Sequence, residues 1–217
     1  LGIVAALTAL AVAGYRRLAL RIGIMDVPTA RGMHSVPVVR GGGMAMMLLP
    51  MVAMAYTALI GSLGWALFVA TVLLVVVGFV DDMRSLSIRW RLPAQLLAAV
   101  LLVSLLPVAW LWTLPALILL LWTINAYNFM DGIDGIAASV AAVIAAVQML
   151  WFVVDGGSPF GPALVAAVLC GGALGFLVWN WQPARLFMGD CGSTTRSAGL
   201  MALTLLGVQS LETAIAA

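Results

Sequence analysis

Long apolar stretches alternate with short polar segments along the whole 217-residue chain. A membrane-crossing helix needs about 20 apolar residues. Eight runs approach this length, at about residues 1–15, 44–60, 63–80, 92–108, 113–129, 136–154, 161–179 and 198–216. Glycine and proline mark several of the turns between them. The pattern predicts an all-α, polytopic transmembrane bundle of about eight spans, which forms a single domain over residues 1–217.

Composition supports a membrane protein and excludes other classes. Hydrophobic residues make up 65% of the chain and charged residues 8%, whereas a soluble domain carries roughly 25% charged residues. The mean hydropathy is +1.18. A formal net charge of +2 excludes a strongly basic nucleic-acid binder, so we expect the lipid bilayer and no nucleic acid as a partner.

The arginines predict how the bundle is oriented. All of them fall on alternate connections, at about 16–43, 81–91, 130–135 and 180–197, and the chain has no lysine. Because arginine in short loops marks the cytoplasmic face, these connections are predicted to face the cytoplasm, with both termini outside. The residues are Arg16, Arg17, Arg21, Arg31, Arg40, Arg84, Arg89, Arg91, Arg185 and Arg196.

Most acidic residues fall on the same predicted face. They are Asp26, Asp81, Asp82, Asp131, Asp134 and Asp190, whereas Asp155 and Glu212 lie elsewhere. An aspartate at the centre of a span costs roughly 2.5–3.5 kcal/mol, so we expect these acids at helix ends or in a wet cavity. The simpler alternative is that each one is a solvated interface residue.

Adjacent carboxylates end the third apolar run. Asp81 and Asp82 follow the stretch LLVVVGFV. Two carboxylates about 4 Å apart repel by about 4 kcal/mol at an effective dielectric near 20. This pair therefore predicts a bound cation, a neighbouring arginine or a shared proton.

A second acidic segment follows the fifth run. Asn128, Asp131 and Asp134 recur at three-residue intervals, so they share one face if the helix continues through them. A magnesium ion takes oxygen ligands, of which one or two are carboxylates, together with water and substrate phosphates. This segment is a candidate contributor to such a site.

A third segment, from Gly189 to Ser193, precedes the predicted eighth span. Glycines around Asp190 would expose backbone N–H groups suited to a phosphate, and the carboxylate suits a metal. The chain has no lysine for a P-loop and one histidine, which excludes a histidine-rich zinc site within it. The loop with Arg31 and His34 faces the same side; arginine suits phosphate recognition, although both residues could simply be solvated.

Four segments, taken in order, resemble a known family. They are D-x-P-x-x-R-x-x-H-x-x-P-x-x-R-G-G at 26–42, Asp81-Asp82, NAYNFMDGIDG at 125–135, and N-x-x-P-A-x-x-F-M-G-D-x-G-S at 180–193. The chain resembles the polyprenyl-phosphate N-acetylhexosamine-1-phosphate transferases, of the glycosyltransferase family 4 type. The wording NFMDGIDG is most similar to members that initiate O-antigen synthesis.

The resemblance implies an activity and a set of roles. It implies transfer of N-acetylhexosamine 1-phosphate from a UDP-sugar to undecaprenyl phosphate with release of UMP, at a cytoplasm-facing site in the bacterial inner membrane. It implies Mg²⁺, or Mn²⁺ in its place. Catalytic positions are Asp81, Asp82 and Asp131, and metal positions are Asp190 and Asn128. Substrate-binding positions are Asp134 near the uracil, Asn180, Arg91 where relatives commonly have lysine, Arg31, His34, Gly189 and Ser193.

The chain also departs from the family pattern. Relatives usually continue Gly-Ser-x-x-Leu-Gly, whereas Arg196 and Ser197 stand here, and relatives have further spans with a His-x-His loop. We therefore expect a shortened form with weak or absent activity.

Other functions compete with this interpretation. They are a non-catalytic remnant of the transferase and a membrane cation transporter. A CDP-alcohol phosphotransferase fits less well, because its Ala-Arg and downstream aspartates are absent. The sequence leaves the accepted sugar and the oligomeric state open, with a homodimer among the options.

Overall fold

The computed structural model describes residues 1–26, 37–106, 110–156 and 158–216. This part of the chain forms a helical bundle with one short two-stranded ribbon. The elements are α1 Gly2–Ile22, β1 Met25–Asp26, β2 Val38–Val39, α2 Gly43–Leu59, α3 Trp65–Arg84, α4 Ile88–Val103, α5 Trp110–Met130, α6 Ile136–Val154, α7 Pro162–Asn180 and α8 Gly189–Ala216. The predicted polytopic helical bundle is confirmed.

Five of these helices are long and apolar enough to cross a membrane, namely α1, α3, α5, α6 and α7, and α2 is a shorter apolar helix. Small residues bring them close together. Gly171 and Gly175 of α7 lie against Val4 and Ala5 of α1, and a Cβ at Gly171 would stand 2.8 Å from the Val4 side chain. This GxxxG pair therefore packs α7 closely against α1.

The first helix runs further than its apolar run. It was expected at residues 1–15 and extends to Ile22, so Arg16, Arg17 and Arg21 lie on its last turns and not in a connection. Gly23 ends the helix in a left-handed conformation, with φ of 78°.

The last helix also differs from its prediction. It was expected from residue 198 but begins at Gly189, which places Arg196 inside the helix, fully buried, and corrects its assignment to a loop. The buried helix accommodates the polar run because its hydroxyls bond to the helix's own carbonyls: Thr194 Oγ1 donates to Asp190 O and Thr195 Oγ1 to Cys191 O, both at 2.6 Å.

Two connections lie side by side just before α2 and α8. The backbone N–H of Phe187 donates to Val39 O at 2.8 Å, and that of Gly43 donates to Met188 O at 2.8 Å. The α3 backbone also approaches α8 closely, since a Cβ at Gly78 would stand 2.5 Å from Cys191 Cα. These contacts fix the first turn of α8 between α2 and α3.

Candidate functional site

Four carboxylates from distant parts of the chain meet at one end of the bundle, which we call the site end. Asp81 and Asp82 come from the last turn of α3, Asp131 follows α5, and Asp190 lies in the first turn of α8. They surround the N-terminus of α8. The structure thus brings together four of the six acids that the sequence placed on one face, while the side of the membrane that this end faces stays a prediction.

Asp82 and Asp131 bind the free backbone groups of α8. The N–H groups of Asp190 and Cys191 donate to the two oxygens of Asp82 at 2.8 and 3.1 Å. The N–H of Gly189 donates to Asp131 Oδ2 at 3.1 Å. Negative groups are favourable here because the first N–H groups of a helix lack partners and carry partial positive charge.

These contacts overturn one expectation. The N–H groups of residues 189–191 were expected to be open to a phosphate, but Asp82 and Asp131 occupy them. A substrate-binding role for Gly189 or Ser193 stays a prediction.

Gly189 is required by this arrangement. Its φ is 73°, a conformation that residues with a side chain rarely adopt. A Cβ there would stand 2.5 Å from Asp82 Oδ1. The glycine therefore lets the Asp82 carboxylate reach the start of α8.

Two arginines partly neutralise the carboxylates. Arg40 Nε lies 2.9 Å from Asp82 Oδ1, and its Nη2 lies 3.4 Å from Asp190 Oδ1. Arg91 lies 3.3 Å from Asp81 Oδ2 and 2.9 Å from Asp190 Oδ2. With all four acids ionised, the two guanidinium groups leave a net charge of −2 on this cluster.

Arg40 was not among the predicted site residues, although it lies directly before Gly41 and Gly42 in the motif at residues 26–42. Its side chain reaches across to the α3 and α8 carboxylates, and its carbonyl accepts a hydrogen bond from Tyr15 Oη at 2.9 Å. The sequence did not predict Arg40 and Tyr15 as site residues, because the residues around each of them do not indicate which distant residues they contact.

Asn128 and Ser193 extend the cluster. With the amide assigned from its surroundings, Asn128 nitrogen donates to Asp190 Oδ1 at 3.2 Å and to Ser193 Oγ at 2.7 Å, and its oxygen accepts from Arg91 at 3.3 Å. Asn128 thus contacts Asp190, the residue beside which the family resemblance placed it.

The donor set suits a hard divalent cation. No three His, Cys, Asp or Glu side chains in the described residues form a ready metal cage. Magnesium needs only one or two carboxylates, however, because water and substrate phosphates complete its shell. Asp190 Oδ2 is buried and accepts no hydrogen bond within the described structure, although Arg91 is close enough for an ion pair. Asp81 and Asp190 therefore offer carboxylate oxygens that suit such an ion, whereas the Asn128 oxygen faces Arg91.

A small cavity adjoins these ligands. It has about 10 Å³, roughly the space of one water, and lies between α3, α4 and α8. Asp81, Asp190, Gln95 and Thr194 are among the residues that line it. Gln95 is buried and accepts a hydrogen bond from Asn125 at 3.1 Å.

Asp134 and Asn180 join two connections at the site end. The N–H of Ala184 donates to Asp134 Oδ2 at 2.9 Å, and that of Gly135 donates to Asn180 Oδ1 at 3.1 Å. Asn180 also donates to Leu186 O at 3.0 Å. The structure shows that both residues hold loops; their predicted contact with a nucleotide stays a prediction.

The environment of Asp131 disfavours its charged form. Burial raises the pKa of this carboxyl well above its ordinary value, and the negative charges of Asp82 and Asp190 raise it further. The hydrogen bond from the Gly189 N–H opposes them. A cation bound at this end would relieve the same repulsion.

Two predicted substrate residues, Arg31 and His34, lie outside the described residues. Their roles stay predictions.

Comparison with known proteins identifies the relatives of this chain. A model described as glycosyl transferase family 4 matches residues 64–208. The decaprenyl-phosphate N-acetylglucosaminephosphotransferase of Mycobacterium tuberculosis is 32% identical over 87% of this chain and 55% of its own length. The probable undecaprenyl-phosphate N-acetylglucosaminyl 1-phosphate transferase of Bacillus subtilis is 30% identical, over 89% of this chain and 58% of its own length.

A further relative carries a different sugar in its name. The phospho-N-acetylmuramoyl-pentapeptide-transferase of Synechococcus sp. (strain RCC307) is 38% identical over 63% of this chain and 45% of its own length. The chain spans about half the length of the curated relatives that it matches.

Proposed function

The chain belongs to glycosyl transferase family 4, and on this basis we propose that it transfers N-acetylhexosamine 1-phosphate from a UDP-sugar to undecaprenyl phosphate, with release of UMP. One observation carries the proposal. Four carboxylates surround the start of α8, and within the described residues two arginines, Arg40 and Arg91, form ion pairs with them. Such a cluster suits one divalent cation and, through it, a substrate diphosphate.

The side chains divide into two groups in this proposal. Asp81 and Asp190 would hold Mg²⁺, or Mn²⁺ in its place, with Asn128 beside them, while Asp82 and Asp131 fix α8. When bound, the ion neutralises diphosphate charge and stabilises the departing UMP. Arg40 and Arg91 are placed to orient phosphate oxygens once these displace the carboxylates from them.

The reaction does not require a protein base. The nucleophile is a phosphate oxygen, and a phosphate with a second pKa near 6 is mostly deprotonated at pH 7. Both oxygens of Asp82 already accept backbone N–H groups, so this residue is poorly placed to collect a proton. Asp82 therefore acts by positioning α8 in this mechanism.

The finer assignment follows from the relatives and the motif. The relatives that cover most of this chain carry N-acetylglucosamine in their names, so UDP-N-acetylglucosamine is the first donor to test. The NFMDGIDG wording favours O-antigen initiation within lipopolysaccharide synthesis. The site would face the cytoplasm from the bacterial inner membrane, because the exposed arginines gather at the site end.

The test combines turnover with binding. The chain in proteoliposomes, with undecaprenyl phosphate and UDP-N-acetylglucosamine, should release UMP with Mg²⁺ and not with EDTA. Asp190→Asn should abolish release and weaken Mn²⁺ binding measured by electron paramagnetic resonance. Asp155→Asn is the matched control, because Asp155 is exposed at the other end of the bundle. Mn²⁺ binding that is equal in both variants would refute the metal assignment, with or without turnover.

A further inference from the structure

A group of arginines outside the carboxylate cluster lies where α1 meets the connection before α8. We call Arg16, Arg17 and Arg185 the arginine clip. Arg17 and Arg185 are exposed and Arg16 is half-buried. Among the described residues no carboxylate forms an ion pair with any of the three, and residues 27–36, outside them, contain no acid in the sequence. The clip therefore carries positive charge without an ion-pair partner in the described part of the chain.

Arg16 is held in place by contacts with α7 and with the connection before α8. Its Nε donates to Arg185 O at 3.3 Å, and its guanidinium carbon lies 5.9 Å from the centre of the Trp179 ring. Trp179 is itself anchored, since its Nε1 donates to Ala9 O at 3.0 Å. The Arg185 N–H donates to Trp179 O at 2.9 Å, which holds the second arginine beside the first.

This geometry leaves donors free. The Nη groups of Arg16 and the whole guanidinium of Arg185 have no hydrogen-bond acceptor within the described part of the chain. The Arg16 guanidinium lies beside the backbone that carries Arg185, and an anion bound there would be attracted by both positive charges. Phosphate is the anion that best matches planar guanidinium donors.

The surroundings indicate that the phosphate belongs to a lipid. Leu18 and Leu20 are exposed beside the arginines on α1, and Trp181 is exposed beside Arg185 on the other side. Exposed leucines suit acyl chains, and tryptophan is typical of the membrane interface at headgroup level. Clustered arginines beside a membrane-spanning helix attract anionic headgroups.

We propose that the arginine clip binds the phosphate of an anionic phospholipid from the surrounding leaflet. The site is separate from the carboxylate cluster and does not depend on the proposed transferase activity. Bound lipid would tie α1 to the connection that leads into α8.

Native mass spectrometry of the detergent-solubilised chain, titrated with phosphatidylglycerol or phosphatidylcholine, tests the proposal. Each arginine near a membrane surface contributes about 1 kcal/mol to anionic-lipid binding, or about 5-fold in affinity. The double variant Arg16→Gln/Arg185→Gln should therefore bind phosphatidylglycerol roughly 25-fold more weakly. The matched control is Arg84→Gln/Arg89→Gln, which removes the same charge from two exposed arginines at the end of α3 and the start of α4, so it should lose clearly less affinity than the clip variant. Far-UV circular dichroism confirms that each variant folds.

The other results would overturn the proposal. Equal binding of the two phospholipids, or equal loss in both double variants, would show general attraction to the arginine-rich end and no site at the clip. Displacement of phosphatidylglycerol by millimolar inorganic phosphate would show a free-anion site. Displacement by equimolar undecaprenyl phosphate, lost in the clip variant, would assign the clip to the proposed acceptor instead.

Discussion

Replacement of Gly189 by alanine tests the junction between Asp82 and α8. A residue with a side chain pays about 1–2 kcal/mol to adopt the left-handed conformation that Gly189 has at φ of 73°. The new Cβ would also stand 2.5 Å from Asp82 Oδ1, so the carboxylate must move. A hydrogen bond to a charged group contributes about 1.5–3 kcal/mol, and loss of one brings the expected destabilisation to about 2.5–5 kcal/mol.

Chemical unfolding in mixed micelles, followed by far-UV circular dichroism, measures this loss. Gly132→Ala is the matched control, because Gly132 is exposed in the preceding acidic segment and its nearest neighbour, Phe129 O, would lie 3.6 Å from the new Cβ. The control should change the free energy of unfolding by less than about 0.5 kcal/mol. If Gly189→Ala loses less than about 1 kcal/mol, the Asp82 contact does not stabilise α8 and the reasoning fails.

Three further predictions use the same unfolding measurement. Arg196→Met should stabilise the chain by about 1–4 kcal/mol, because Nε and Nη1 of this fully buried arginine lack partners within the described residues. A loss of stability in this variant would contradict the prediction. Gly43→Ala should destabilise by about 1–3 kcal/mol, since its Cβ would meet the Gly192 backbone, whereas Gly14→Ala has open space and should be neutral or stabilising. Because the pKa of Asp131 is raised on folding, its contribution to the free energy of unfolding should be greatest at low pH and should be lost as the pH rises through the raised pKa. Asp131→Asn should flatten this loss. A pH profile of stability that is the same in the variant would refute the prediction.

The sequence predicted the helices, and it predicted that most acids lie at one end of the bundle, because both features depend on local composition. Apolar runs locate spans, and acids next to them locate helix ends. The same reasoning failed at residues 189–197, where Ser193, Thr194 and Thr195 resemble a polar connection. Their hydroxyls are satisfied by the carbonyl four residues earlier, so a polar run is buried without exposed donors. The spacing of apolar and polar residues does not indicate that these hydroxyls bond within the helix.

The partners of the site residues were harder to predict than the residues themselves. Asp82 and Arg40 are 42 positions apart, and their contact depends on how α2 and α3 pack. The clustering of acids showed that counter-charge was needed. It did not show which of the many arginines would supply it, because that choice depends on tertiary packing.

The contacts at α8 separate the four carboxylates into two pairs that mutation can distinguish. Asp82 accepts two backbone N–H groups, so Asp82→Asn should lose about 2 kcal/mol of stability and weaken Mn²⁺ binding less than Asp190→Asn does. The side chain of Asp190 accepts none, and its negative charge adds to an excess that two arginines do not cancel. Asp190→Asn should therefore weaken Mn²⁺ binding while leaving stability equal or higher. Equal stability loss in the two variants would show that both carboxylates serve the fold, and the division into helix-binding and cation-binding acids would be wrong.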